Sequence, residues 1–169
     1  MSLTQISDSL RTHIQGVLVR NPQWEENLTA FRVEGALMAK DWTAVQRIVC
    51  DSKNRSSEVA IARVFLAIRS GDEASVSKAL SEARSQIGIP FTTTGDREYR
   101  RAYDVVLDLH VLKDIETIHR LTSVDGGTRV TLAQLNEVLR ARFEATLPTF
   151  RTREPILNMH RVAFSLRYA

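Results

Sequence analysis

Four histidines are the first residues that could do chemistry in this sequence, because imidazole binds metals and moves protons near neutral pH. They are His13, His110, His119 and His160. A helical metal site commonly places a second histidine or cysteine three or four residues away on the same face, and none of the four has one there. We therefore interpret all four as structural or surface side chains, and the sequence predicts no metal ligand.

Paired carboxylates are the second candidate, because two of them on one helix face could serve as general acid and general base. Asp104 and Asp108 lie one helical turn apart, and Glu25 and Glu26 are adjacent. Both pairs fall on predicted helix surfaces, and two arginines precede the first pair closely. Solvated ion pairing is the simpler interpretation of both pairs.

The motifs that mark catalytic and phosphate-binding sites are missing from the sequence. The chain has no HEXXH, GxSxG or CxxC pattern, and no kinase-type HRD or DFG motif. The glycines of Asp125-Gly126-Gly127 lack the lysine and the spacing of a phosphate-binding loop, so this tripeptide is predicted to be a turn. The sequence thus predicts no catalytic residue, no cofactor-binding residue and no cofactor in this chain.

The single cysteine and the hydropathy pattern indicate the cellular environment. Cys50 follows an apolar run, and we expect it to be a small core residue rather than a reactive thiol. Without a disulfide framework, a reducing compartment such as the cytosol or nucleus is favoured. No window approaches the roughly 18 continuous apolar residues of a membrane span, and residues 1–10 do not resemble a secretion signal.

Charge is distributed unevenly along the chain, whose net charge is +3. Residues 140–169 contain six arginines and two glutamates, hence a local net charge of +4, and the rest of the chain is close to neutral. Arginine suits bidentate pairing with carboxylates inside packed protein as well as phosphate contact. We interpret this stretch as a protein-docking surface, and direct contact with nucleic acid is not expected.

The elements that carry these residues are predicted to be helices. Of the 169 residues, 43% are hydrophobic, 25% are charged and only four are prolines, which is typical of a globular helical protein. Apolar residues recur every three or four positions, and capping residues and prolines bound the segments. Helices are predicted over residues 3–19, 24–39, 42–50, 57–69, 73–87, 96–121, 131–146 and 155–166. The predicted N-caps are Asp41, Ser57, Asp72 and Thr131. Gly88 is predicted to end its helix before a loop over 89–95, Pro148 to end the helix before it, and Pro155 to lie in the first turn of the last helix.

The first half of the chain reads as two helical hairpins related by a shift of 31 residues. This shift places Asp41 on Asp72 and aligns apolar residues with apolar residues, for example Val45 with Val76. A period near this value with paired helices is typical of tetratricopeptide-like solenoids. The predicted fold class is therefore all-α, with antiparallel helical hairpins stacked as a tetratricopeptide-like α-solenoid; a nonrepeating helical bundle is the alternative.

The long helix from Tyr99 to Leu121 is predicted to be the element around which the others pack. We expect one section over 1–169, with repeat hairpins over 1–88 and the long helix and C-terminal helices over 96–169. The predicted buried side chains are Phe31, Leu37, Val45, Phe65, Ile68, Leu80, Tyr103, Leu107, Leu112, Leu135, Phe143 and Ile156.

Two segments resemble the FAT region of phosphatidylinositol-3-kinase-related protein kinases, specifically that of ATR-type DNA-damage checkpoint kinases of fungi. The first segment is similar to the pattern Y-x-x-x-Y-x-x-x-x-x-L-H-x-L-x-x-x-E, and the second to R-x-x-E-P-I-L-x-x-x-R. The family-motif residues of the first are Tyr99, Tyr103, Leu107, Leu109, His110, Leu112, Ile115 and Glu116. Those of the second are Arg151, Arg153, Glu154, Pro155, Ile156, Leu157 and Arg161. Leu139 stands where we would expect a tryptophan, which is a departure from the family pattern.

The resemblance implies a non-catalytic scaffold section of a longer nuclear serine/threonine kinase. In the family, this region forms an α-solenoid that wraps a kinase domain lying further along the chain. The implied partners are the kinase domain and the adjoining solenoid of the same chain, with room for a regulatory subunit, and no membrane. A free-standing tetratricopeptide-type adaptor and an arginine-rich nucleic-acid binder are the competing hypotheses.

Overall fold

A computed structural model of the chain describes residues 12–13, 16–17, 19–21, 24–52, 56–93, 99–122 and 132–167. Within these residues the architecture is all-α, and this fold class is confirmed. The helices from residue 25 onward are α1 (Glu25–Ala39), α2 (Trp42–Asp51), α3 (Ser57–Ser70), α4 (Glu73–Thr93), α5 (Tyr99–Thr122), α6 (Leu132–Glu144) and α7 (Phe150–Arg167). Most of the helix predicted over 3–19 lies outside the described residues, as do Asp96, the predicted turn at Asp125-Gly126-Gly127 and the Thr131 cap.

The turns of the first two hairpins share one geometry at the predicted spacing. Lys40 and Gly71 both adopt left-handed backbone conformations, with φ of 57° and 76°, and such a residue ends a helix by turning the chain away from its axis. The aspartate that follows each of them caps the next helix. Asp41 accepts a hydrogen bond from the Ala44 N–H at 3.0 Å, and Asp72 accepts from the Ser75 N–H at 3.1 Å. Both predicted aspartate caps are confirmed.

Residues related by the 31-residue shift between the two hairpins are buried alike. Val45 and Val76 are both fully buried, and Val49 and Leu80 are buried one turn later. The paired apolar positions therefore occupy equivalent places in the two hairpins, because each second helix turns the same stripe toward its neighbours.

Three predicted helix boundaries were wrong. Helix α4 continues through Gly88 to Thr93, so neither the glycine stop nor a loop beginning at residue 89 is present; Gly88 lacks the positive φ with which glycine ends a helix. Helix α6 ends at Glu144, four residues before Pro148, where the Thr146 hydroxyl donates to the Phe143 carbonyl at 2.7 Å. The cap of α3 is Ser56 rather than Ser57.

The start of the last helix was also predicted wrongly. Helix α7 begins at Phe150, and Pro155 lies inside it. The reason is that Thr149 caps this helix, its hydroxyl oxygen accepting from the Thr152 N–H at 3.3 Å. The proline is tolerated within the helix at the cost of one backbone hydrogen bond.

The helices pack in sequence, and among the described helices α3 contacts more of the others than the long helix α5 does. Each hairpin pairs its own helices, and α3 also contacts α1 and α2; α5 packs against α3, α4, α6 and α7, as expected for the long helix. Helix α7 in addition returns to contact α1 and α3, which the sequence did not indicate. Helix α3 is buried nearly all round. None of the described helices is both long and apolar enough to cross a membrane.

Most of the predicted core is buried, with clear exceptions. Leu37, Val45, Phe65, Leu80, Leu112, Leu135 and Ile156 are buried, while Ile68, Tyr103, Leu107 and Phe143 are partly buried. Phe31 was predicted wrongly, since it is 69% exposed. The buried stripe of α1 is Thr29, Val33 and Leu37 at four-residue spacing, and Phe31 lies two residues from it, on the opposite side of the helix. Cys50 is exposed rather than in the core, because the preceding Val49 takes the inward position.

Candidate functional site

The first motif segment lies on α5 and divides between core and surface. Leu112 and Ile115 are fully buried, Tyr103, Leu107 and Leu109 are partly buried, and His110 is exposed. The Tyr103 hydroxyl accepts a hydrogen bond from the Leu147 N–H at 3.1 Å. Tyr103 therefore ties α5 to the turn between α6 and α7. The side chain of Tyr99 lies outside the described part of the chain.

Glu116, the last residue of the first motif, ties α5 to α4. Its Oε2 accepts hydrogen bonds from Arg84 and Lys113, each at 2.8 Å. Burial alone would raise the pKa of Glu116, but the hydrogen bonds from Lys113 and Arg84 outweigh it and lower that pKa. The carboxylate therefore stays ionised and bridges the two helices.

The second motif segment lies on α7, and its arginines do not behave alike. Arg151 and Arg161 are exposed, and neither forms an ion pair with a described residue. The Arg153 guanidinium stacks over the Phe143 ring at 4.6 Å and donates to the Thr146 carbonyl at 3.4 Å. Its Nε is buried without a hydrogen-bond partner. Arg153 thus joins α7 to α6 by stacking on an aromatic ring instead of pairing with an acid.

The other residues of the second motif separate by helix face. Ile156 is buried, Pro155 is partly buried, and Leu157 is 53% exposed. Glu154 is partly buried and accepts from the Asn158 amide at 2.8 Å. The motif therefore supplies one inward anchor, Ile156, and one outward apolar side chain, Leu157.

A buried polar cluster, which we call the Asp114 clamp, joins α5, α6 and α7. Asp114 Oδ1 accepts from Arg142 at 2.5 Å, and Oδ2 lies 2.8 Å from His160 Nε2. Arg142 also donates to the Thr117 hydroxyl at 3.0 Å. The side chain of Asp114 is only 3% exposed. A carboxylate held by two donors in this way is satisfied, so the cluster fixes three helices relative to one another.

Sequence reasoning missed the Asp114 clamp. It placed His160 among structural side chains but gave it no partner, and it did not single out Asp114 or Arg142 as a pair. The available signal was an aspartate on the same helix face as the apolar residues Val111 and Ile118, which lie three positions before it and four after it. A charged residue at such a position is expected to be paired, because burying an unpaired carboxylate is costly.

A second group of carboxylates gathers where α1, α3, α5 and α7 approach one another. The pKa of Asp108 is raised to about 6, chiefly by burial and also by the nearby Glu58 and Asp104, while a hydrogen bond with Ser57 opposes this rise. Burial likewise raises the pKa of Glu34, with added repulsion from Glu154 and Glu58. The prediction that Asp104 and Asp108 are both solvated was wrong for Asp108, which faces the start of α3.

These arrangements favour packing over catalysis. The aspartate–histidine pair of Asp114 and His160 has the spacing of a base and its orienting carboxylate. Both side chains are buried, however, and the polar partners of Asp114 are Arg142 and His160 rather than a nucleophile. In the described part of the chain, no group of three or more His, Cys, Asp or Glu side chains could hold a metal ion.

Comparison with known proteins identifies one family model and several related sequences. Residues 31–169 match the model of the FAT domain. The chain is 23% identical over 173 aligned residues to the serine/threonine-protein kinase ATR of Oryza sativa subsp. indica, covering 92% of this chain and 6% of that protein. It is 22% identical over 171 residues to the protein of the same name in Arabidopsis thaliana, covering 90% of this chain and 6% of the relative. No solved structure matches.

Proposed function

The chain belongs to the FAT domain family, and from this membership we propose that it is a non-catalytic α-solenoid scaffold section of an ATR-like serine/threonine checkpoint kinase acting in DNA-damage signalling. The FAT domain is a non-catalytic region of such kinases. On this proposal, the section packs around and supports a kinase domain that lies outside this chain. Its partners are that kinase domain and the adjoining solenoid, and it acts in the nucleus.

The observation that carries the proposal is where the inward-facing motif residues lie. Tyr103, Glu116 and Arg153 each join α5 or α7 to a neighbouring element. Residues used in this way position helices and are not free to bind a small substrate. A scaffold needs such joints, because a solenoid transmits shape only if its helices keep fixed relative positions.

The arginine contacts favour this role over nucleic-acid binding. Arg142 is engaged by Asp114, and Arg153 is stacked on Phe143. A phosphate-binding stripe would keep such side chains at the surface, where they can neutralise the backbone of DNA or RNA. Two of the arginines in the basic C-terminal stretch are therefore part of the helical packing.

The proposal is tested in two proteins. The 169-residue chain alone should neither bind ATP-magnesium in calorimetry nor transfer phosphate to a peptide, because it has no phosphate-binding loop. In the full-length kinase, Asp114→Ala should lower kinase activity and increase proteolysis within this section. The exposed Glu82→Gln on α4 should do neither.

Two results would contradict the scaffold role. One is saturable nucleotide binding by the isolated chain at micromolar affinity. The other is full kinase activity in an Asp114→Ala protein whose section has been shown to be disrupted.

A further inference from the structure

Helices α1 and α7 contact each other, and both pack on α3. Both carry exposed apolar side chains beside acidic ones. We call this surface the α1/α7 face and define it by Phe31, Glu34, Gly35, Glu154 and Leu157. Phe31 is 69% exposed and Leu157 is 53% exposed. Each lies three residues from a carboxylate of its own helix, Glu34 or Glu154, and residues at this spacing are neighbours on a helix surface.

The carboxylates of the α1/α7 face are close together and form no ion pair with a lysine or arginine among the described residues. Glu154 and Glu58 lie near enough to Glu34 to raise its pKa, after burial itself. Lys and Arg side chains of the described residues form no ion pair with any of these three carboxylates. Like charges left together at a surface favour binding of a positively charged partner, because association relieves their repulsion.

Gly35 is a third feature of the same face. It is exposed in the middle of α1, its φ is not positive, and a Cβ built on it would meet nothing within 4 Å. Neither its backbone nor its neighbours in this chain require glycine, which is a poor helix former. A helix surface without a side chain lets another backbone approach closely.

We propose that the α1/α7 face binds a cationic amphipathic helix, a partner segment with large apolar anchors and lysine or arginine at its centre. The anchors pack beside Phe31 and Leu157, the partner backbone crosses at Gly35, and the cations meet Glu34 and Glu154. A helix suits this surface because ridges of side chains on one helix fit the groove between two others. Arg151 is exposed three residues before Glu154, and Arg161 is exposed four residues after Leu157. These two arginines border the face along α7, so the partner needs positive charge only at its centre.

The experiment measures binding of labelled peptides to the 169-residue chain by fluorescence anisotropy. The probe is a helical peptide of about 20 residues with leucines on one stripe and lysines beside them at the centre. Two control peptides replace the lysines with glutamates or the leucines with serines. We expect saturable binding of the first peptide only, weakening as the salt concentration rises.

Variants of the chain test each feature of the face. Phe31→Ser and Leu157→Ser should each weaken binding about tenfold, as expected for apolar anchors. The Glu34→Gln/Glu154→Gln double variant should weaken it and flatten the salt dependence. The matched controls on α6, Val138→Ser and Glu137→Gln, change residues that are also exposed and should leave binding unchanged.

Gly35→Gln separates loss of the surface from loss of the fold. A glutamine at this exposed helical position should raise the melting temperature by about 2–4 °C, because glycine is the weaker helix former. The same side chain should block close approach and weaken peptide binding about tenfold. Impaired folding could not produce both results.

Three outcomes would overturn the inference. They are no saturable binding of the lysine peptide at low salt, equal binding of the glutamate peptide, and control variants that weaken binding as much as variants of the face. The measurement needs no kinase domain, so its failure leaves the scaffold role untouched, and failure of the scaffold tests leaves this result untouched.

Discussion

Replacing Asp114 with alanine removes the centre of the Asp114 clamp. The carboxylate is 3% exposed and is the shared acceptor for Arg142 and His160. Removing one partner of a buried ion pair costs about 3–5 kcal/mol, because the remaining charge is left buried and unpaired. Since the Arg142 side chain is 23% exposed and can regain some water, we expect a loss near the lower limit, about 3 kcal/mol.

Urea denaturation followed by far-ultraviolet circular dichroism measures this loss as a change in the free energy of unfolding. A loss of this size is a large share of the ~5–15 kcal/mol that stabilises a typical domain. The matched control is Asp104→Ala, which removes an exposed carboxylate from the same helix. It should change the free energy of unfolding by no more than about 0.5 kcal/mol.

A double-mutant cycle with Arg142→Ala tests the reasoning itself. If the two residues act through each other, the double variant should lose clearly less stability than the two single variants added together. Additive effects, or a loss below about 1 kcal/mol for Asp114→Ala, would refute the interpretation that the clamp holds α5, α6 and α7 together.

Three further predictions concern pH, burial and the helix interior. The pKa of Asp108, about 6, lies above its value in the unfolded chain, so the wild-type protein should lose stability as the pH rises from about 4 to about 6. The Asp108→Asn variant should lack this loss. At neutral pH, urea titrations should show that its free energy of unfolding exceeds that of the wild type by on the order of 1–3 kcal/mol. Leu37→Ala should cost about 2–5 kcal/mol in thermal unfolding, whereas Phe31→Ala should cost about 0.5 kcal/mol, and similar losses would contradict the assigned faces. Pro155→Ala should restore a donor to the Arg151 carbonyl and raise the free energy of unfolding by about 1–3 kcal/mol; a lower value would show that the ring packs favourably.

Local chemistry explains why much of the fold could be predicted. The aspartates Asp41 and Asp72 cap helices wherever the chain turns just before them, because the acceptor and the donors lie within three residues of each other. Where two residues could each start the same helix, the sequence alone did not determine which one does. Pro155 indicated a helix start, but the threonine cap at Thr149 acts earlier and starts the helix five residues before it.

The candidate site was only partly predictable for a different reason. The motif residues were identified by their pattern, yet the pattern did not show that Leu157 lies outward and Ile156 inward. Two adjacent apolar residues on a helix point about 100° apart, and which of them meets a neighbour depends on where that neighbour packs.

The sequence by itself determined the all-α architecture, the capped turns and the long α5 helix, since helical periodicity and capping act over a few residues. The tertiary structure decided which side of α1 is buried, leaving Phe31 outside and Val33 inside. It also decided the partners of Asp114, which are 28 and 46 residues away along the chain. Such pairings arise only when distant segments are brought together, because burial makes an unpaired carboxylate costly and the packing determines which donors can reach it.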